Sequence, residues 1–186
     1  MKKFSMGTTL GFLFLLFIVA GIVTVAPAAR TQENKVTEPE TIGVLFWRDP
    51  TTNALVPLDR EIISVKASAG FFKASAKLRV NGVAARLRLN AVPTPEFIVQ
   101  LANGVDPNKI QLYLLKVDGG KRVTTVATAS AFGSTSQLQT LPFDVTKYGQ
   151  NSYKLRPSQP LIPGEYVFNA TIDSTDAFCF AIDIAR

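Results

Sequence analysis

No histidine occurs anywhere in the 186 residues. That absence removes Ser-His-Asp and Cys-His nucleophilic catalysis, the imidazole ligands of most catalytic zinc sites, and any switch built on imidazole titration. The single cysteine, Cys179, has no second thiol to pair with and lies between Phe178 and Phe180. With no cationic neighbour in sequence to favour a thiolate, it reads as a small, half-buried apolar side chain. One thiol cannot assemble a zinc or iron-sulfur centre, so neither a metal nor a cofactor is expected. Paired carboxylates are the catalytic option that remains, as in glycoside hydrolysis. Glu61, Glu96, Asp106, Asp118, Asp144, Glu165, Asp173, Asp176 and Asp183 fall mostly in turn-like surroundings, where acids serve solvation and local hydrogen bonding. No catalytic residue is therefore singled out. Asp173 and Asp176 lack the glycine and the ligand number of a calcium loop, and Asn169-Ala170-Thr171, a glycosylation sequon in form, sits in a strand-like stretch.

The pattern with the most chemical content is cationic. In FKASAKLRVNGVAARLRLN, residues 72–90, Phe72, Ala74, Ala76, Leu78 and Val80 alternate with Lys73, Ser75, Lys77 and Arg79. After Asn81-Gly82 the alternation resumes, with Val83, Ala85, Leu87 and Leu89 against Ala84, Arg86 and Arg88. Asn-Gly favours a two-residue type I′ turn, which would pair Val80 with Val83, Leu78 with Ala85 and Lys77 with Arg86. Lys73, Lys77, Arg79, Arg86 and Arg88 would then project from one face, with no acid between residues 62 and 95. Such a strip is a candidate anion-binding surface for phosphate, a charged polysaccharide or an acidic protein. The alternative is a solvated outer sheet face neutralised by acids folded over from elsewhere. Nucleic acid is not expected, because no aromatic residues interleave the basic side for base stacking.

The elements that must position these groups begin with an address. Lys2 and Lys3 precede an apolar run from Leu10 to Val25, and Ala26-Pro27-Ala28-Ala29 offers small residues for cleavage. Residues 1–29 read as a secretory signal peptide; the run falls just short of the roughly 20 residues that span a bilayer, and an uncleaved anchor helix is the alternative. Residues 30–40, polar and proline-containing, read as a tether. The formal charge is +6; without Lys2 and Lys3 the chain keeps 18 basic against 14 acidic side chains, a mildly basic +4.

Residues 41–186 read as one all-β domain, because apolar residues recur with period two between Asp, Asn, Gly and Pro turns. Strands are expected at 42–47, 54–58, 97–101, 110–117, 122–127, 141–145 and 152–155, with Asp118-Gly119-Gly120 a hairpin turn. Tyr166 to Ile172 and Phe178 to Ile184 form a closing hairpin joined by residues 173–176. Leu161-Ile162-Pro163-Gly164-Glu165-Tyr166 is similar to the tyrosine corner of immunoglobulin-like domains. A single antiparallel β-sandwich with immunoglobulin-like features is the expected fold, and a partly open β-barrel the alternative. Val56-Pro57-Leu58, Phe97-Ile98-Val99, Val105-Asp106-Pro107 and the ending PLIPGEY with Phe178-Cys179-Phe180 together resemble exported bacterial β-domain proteins of uncharacterised function. The resemblance implies export and carries no activity.

The expectation is a non-enzymatic module in the periplasm, at the cell surface or outside the cell. It would bind another macromolecule or help assemble a surface structure, with an anionic glycan on the basic strip or a carboxylate-based hydrolase as the alternatives. Membrane contact is expected only through the N-terminal segment, where that stays uncleaved.

Overall fold

A computed structural model describes residues 36–70, 73–90, 94–130, 135–136, 140–169 and 175–184. The expected signal peptide, most of the tether, and residues 170–174, which hold the end of the expected 166–172 strand, part of the Asn169 sequon and the start of the 173–176 connection, lie outside them. Among the described residues no helix is long and apolar enough to cross a membrane.

The strands are, in chain order, β1 (Leu45–Arg48), β2 (Leu55–Pro57), β3 (Asp59–Ala69), β4 (Lys73–Asn81), β5 (Arg88–Asn90), β6 (Glu96–Gln100) and β7 (Gln111–Asp118). They continue with β8 (Lys121–Ser130), β9 (Thr135–Ser136), β10 (Thr140–Leu141), β11 (Phe143–Tyr148), β12 (Ser152–Pro157), β13 (Gly164–Asn169) and β14 (Asp176–Asp183). The all-β reading holds. One antiparallel sheet runs β11-β12-β6-β1-β2. In the other, β7 pairs with both β13 and β8, so that β7-β13-β14-β3-β4-β8 closes into a six-stranded antiparallel ring. β9 and β10 flank the ring, and β5 adds to β14 in parallel.

β13 and β14 belong to two cores at once, which is why their sequence is almost continuously apolar rather than alternating. Tyr166, Phe168, Phe178, Phe180 and Ile182 face the first sheet and pack with Leu45, Phe97, Val99 and Leu155. The Phe97 ring meets Phe168 edge-on at 4.9 Å and Phe180 at 4.7 Å, geometries that aromatic quadrupoles favour. The alternate positions Val167, Ala177, Cys179 and Ala181 point into the ring with Ile63, Leu78, Val80, Tyr113 and Val126. Eight strands already leave a barrel interior just wide enough to be filled by side chains, so six leave less, and the small residues of β14 meet that limit. The two faces of one strand thus carry large and small residues for different spaces.

The hairpin expected across Asn81-Gly82 is not formed. β4 pairs with β3 on one edge and with β8 on the other, so no edge is left for residues 83–89. Gly82 does take a positive φ of 78°, yet the chain leaves the sheet there and crosses the mouth of the barrel. Along that crossing Ala85 is buried, and the Arg86 and Leu87 amides donate to Asp59 Oδ2. Only Arg88–Asn90 returns to strand, beside β14. By contrast, Asp118 and Lys121 pair across Gly119-Gly120, both at positive φ, as a two-residue hairpin requires. The tyrosine-corner bond is also present: Tyr166 Oη donates to the Ile162 carbonyl at 2.5 Å.

Residues 36–40, within the stretch read as tether, reach the domain. Glu38 accepts hydrogen bonds from the Gln150 and Asn151 amides and from Ser152 Oγ at 2.7, 3.1 and 2.6 Å, capping the β11–β12 turn. Those bonds, Ser152 foremost, hold its carboxyl below the ordinary 4.5 against a smaller opposing effect of burial.

Candidate functional site

The five cations read as one strip separate into two groups. Lys73, Lys77 and Arg79 lie on β4 at positions alternating with the inward-facing Leu78 and Val80; of Lys73 only the backbone pairing, opposite Ser130, is described. Arg86 and Arg88 sit at the barrel mouth instead, each beside an acid. Arg86 Nε lies 3.4 Å from Asp59 Oδ1. Arg88 forks onto Asp183, with Nε to Oδ2 at 2.8 Å, and reaches Glu165 Oε1 at 3.1 Å. The Asp183 bonds raise the Arg88 pKa, burial opposes them, and Glu165 adds to the rise. For these two arginines the alternative reading, neutralisation by acids brought from elsewhere, is the one realised.

Two lysines that sequence reading left out take their place. Lys66 of β3 stands directly opposite Lys77, and Arg79 stands opposite Val123, which in turn faces Lys116 of β7. Pairing partners share a sheet face, so Lys66, Lys77, Arg79 and Lys116 form one cationic surface over four adjacent strands. Strand spacing puts Arg79 and Lys116, two strands apart, about 10 Å from each other at the backbone. Among the described residues none of the four makes an ion pair with a carboxylate. The acid on this part of the face, Asp118, stands opposite Lys121. Between Lys77 and Lys116 runs an open groove of about 650 Å3, lined also by Leu114, Asp118, Val123, Thr125 and Leu141. A ligand there would meet two amines, hydroxyls and, at one end, the Asp118 carboxylate above an apolar floor.

Lys66 escaped notice because β3 was not expected to be a strand. Its signal is the alternation of Ile63, Val65 and Ala67 with Ser64, Lys66 and Ser68, and its inward positions weaken along the chain as Val65 becomes exposed. Lys116 needed the β7–β8 register, which brings it beside Arg79 across β8.

A second ionic cluster lies inside the barrel mouth. Arg122 is fully buried, its Nη2 donating to Glu61 Oε1 at 2.6 Å and to the Asn81 carbonyl at 3.1 Å, its Nη1 lying 3.4 Å from Glu165 Oε2. Glu165 also accepts the Ala85 amide at 2.7 Å, which ties the crossing loop to β13. Burial works against the Arg122 charge, but the Glu61 bond and the surrounding charges outweigh it, and its pKa is raised. Of the acids weighed as a catalytic pair, Glu61 and Glu165 are thus engaged by Arg122, and Glu96 accepts from Arg48 at 3.0 Å and Lys154 at 3.3 Å. Cys179 is buried, and desolvation pushes its thiol up to about 12 despite the attraction of Arg122. At that value it is protonated and no nucleophile. Among the described residues no group of three or more Cys, Asp or Glu side chains converges as metal ligands would, and Asp173, part of the calcium loop weighed above, lies outside them.

Among the described residues, the cations of β3, β4 and β7 thus face outward, while the Arg122 ion cluster and the Cys179 thiol are buried. No family model matches the chain, and neither a curated protein nor a solved structure is significantly similar to it.

Proposed function

We propose that this chain is an exported, non-enzymatic binding module that holds an anionic macromolecule, an acidic polysaccharide of the cell envelope or its surroundings, on the outer face of its barrel. One observation carries the reading: Lys66, Lys77, Arg79 and Lys116 stand on β3, β4 and β7, on one face around β8, with no ion-pair partner among the described residues. Like charges placed directly across strands, as Lys66 and Lys77 are, cost a few tenths of a kcal/mol or more. A neutralising ligand removes that cost, and gathered charge raises its local concentration. The Lys2-Lys3 and Leu10–Val25 pattern supports export, to the periplasm, the cell surface or the medium. We read the architecture as a two-layer sandwich in which one layer has closed on itself, with an immunoglobulin-like tyrosine corner at Tyr166.

Retention of the mature domain on immobilised heparin, used as an acidic polysaccharide, tests the proposal. Wild-type protein is expected to elute at clearly higher salt than Lys77→Ser/Lys116→Ser, with retention falling steeply as salt screens the contacts. Arg86→Ser, at the barrel mouth, is expected to elute with wild type. Equal elution of wild type and the double variant, or an equal loss in Arg86→Ser, overturns it.

A further inference from the structure

At the far edge of the first sheet, the turn from β1 to β2 and the start of β6 enclose a cleft of about 250 Å3 lined by Trp47, Arg48, Pro50, Asn53, Thr94 and Glu96. Its walls are held in place before any ligand arrives. Asp49 Oδ1 accepts the Thr51 and Thr52 amides, and Asn53 N donates to the Asp49 carbonyl, so the turn is locked from within. Asn53 is the one non-glycine at positive φ among the described residues, 59°, and its side-chain oxygen accepts from Arg48 Nη2. Arg48 in turn grips Glu96, which also accepts from Lys154. Trp47 packs partly against the core cluster.

The chemistry of this cleft differs from that of the barrel face. Arg48 and Glu96 offset each other, so no single sign of charge is selected. What remains is an aromatic ring beside an amide, a hydroxyl, a carboxylate and a guanidinium, which together offer hydrogen-bond donors and acceptors. Trp47 Nε1 and Arg48 Nε are turned inward, away from the cleft, with no acceptor among the described residues. A ring with an apolar face and a rim of hydroxyls satisfies all these features, and the volume, just under the usual range for ligand pockets, suits one such ring.

We infer that the Trp47 cleft is a binding site for a single neutral sugar ring, separate from the cationic face of the barrel. The site takes the ring with its apolar face toward the indole and its hydroxyls toward Asn53, Thr94 and Glu96. It does not depend on the proposal for the barrel face, since it lies on the other sheet.

Trp47 is the chain's only tryptophan, so the protein carries its own reporter. Titrating the mature domain with glucose, N-acetylglucosamine, mannose and cellobiose, with glucuronate as the charged arm, is expected to give a saturable change in tryptophan emission with at least one neutral sugar. Asn53→Gly, which tolerates the positive φ, and Thr94→Val are each expected to weaken that binding by about tenfold, the worth of one hydrogen bond. Lys77→Ser/Lys116→Ser is expected to bind the sugar as wild type does. Thermal melting of each variant reports its folding, so a fully folded variant with unchanged affinity counts against the site. A response that only rises linearly, a response to glucuronate alone, or none with any of the five sugars overturns the inference.

Discussion

Replacing Arg122 with methionine removes the one guanidinium among the described residues that sits wholly inside the barrel while leaving the acids that face it. Its side chain is 1% exposed, against 11% for Glu165 and 23% for Glu61, so the loss falls on carboxylates largely withdrawn from water. Breaking a buried pair by deleting one member typically costs about 3–5 kcal/mol. Here the figure sits at the low end, about 3 kcal/mol, because Glu165 keeps Arg88 and the Ala85 amide while Glu61 retains partial access to water. For a domain of this size that is a fall in Tm of about 6–12 °C. Urea unfolding gives the free energy directly, and a cycle with Glu61→Gln separates the pair from the rest. Removing the stranded charge in Arg122→Met/Glu61→Gln is expected to return about 1–2 kcal/mol, because the two groups share one bond. A loss below about 1 kcal/mol in the single variant, or additive losses in the double, would refute the claim that this ion cluster closes the barrel mouth.

Other expectations follow from single contacts. Glu38 has its pKa lowered in the folded chain, so its contribution is present above its unfolded value of about 4.5 and disappears as pH falls through the lower folded value. Glu38→Gln is thus expected to flatten part of the acid limb of a stability-versus-pH curve, and an unchanged limb would count against the docked arm. Gly149→Ala places a methyl 2.4 Å from Glu38 Oε1 at a φ of 75°, and is expected to cost about 1–2 kcal/mol in urea unfolding. Tyr166→Phe deletes the hydroxyl that donates to the Ile162 carbonyl and is expected to cost about 1 kcal/mol by the same measurement. Cys179 is expected to resist thiol reagents at pH 8 in native protein and to react fully in denaturant; rapid native labelling would contradict its burial.

Strand identity was legible where alternation or continuous apolarity dominated, as in β6, β13 and β14, and the tyrosine corner was visible as a six-residue motif. Pairing was a different matter. Asn81-Gly82 and the pattern on either side of it agree on a local hairpin, and that agreement misled, because Gly82 only turns the chain out of the sheet. The competing partner of β4, β8, lies some forty residues or more further along, and no local pattern announces a strand pair of that span. The barrel closure that brings Lys116 to Arg79 depends on it. Arg122 shows the same limit: its alternation with Thr124 and Val126 is plain in the sequence, but which side of that strand faces inward is decided by the ring. The strip of cations was legible only in part for this reason: Lys73, Lys77 and Arg79 share a strand as their alternation says, while Arg86 and Arg88 lie apart at the barrel mouth and Lys66 and Lys116 join the face only through the pairing.

The cationic face is tested most directly by mapping amide shifts of the mature, isotopically labelled domain as a short heparin fragment is added at low salt. The account expects the changes to gather at Ser64–Lys66, Lys77–Arg79, Leu114–Lys116 and Val123–Thr125, and to fade as salt is raised. Changes centred on Asp59, Arg86, Arg88 and Asp183, or spread evenly over the surface, would contradict it.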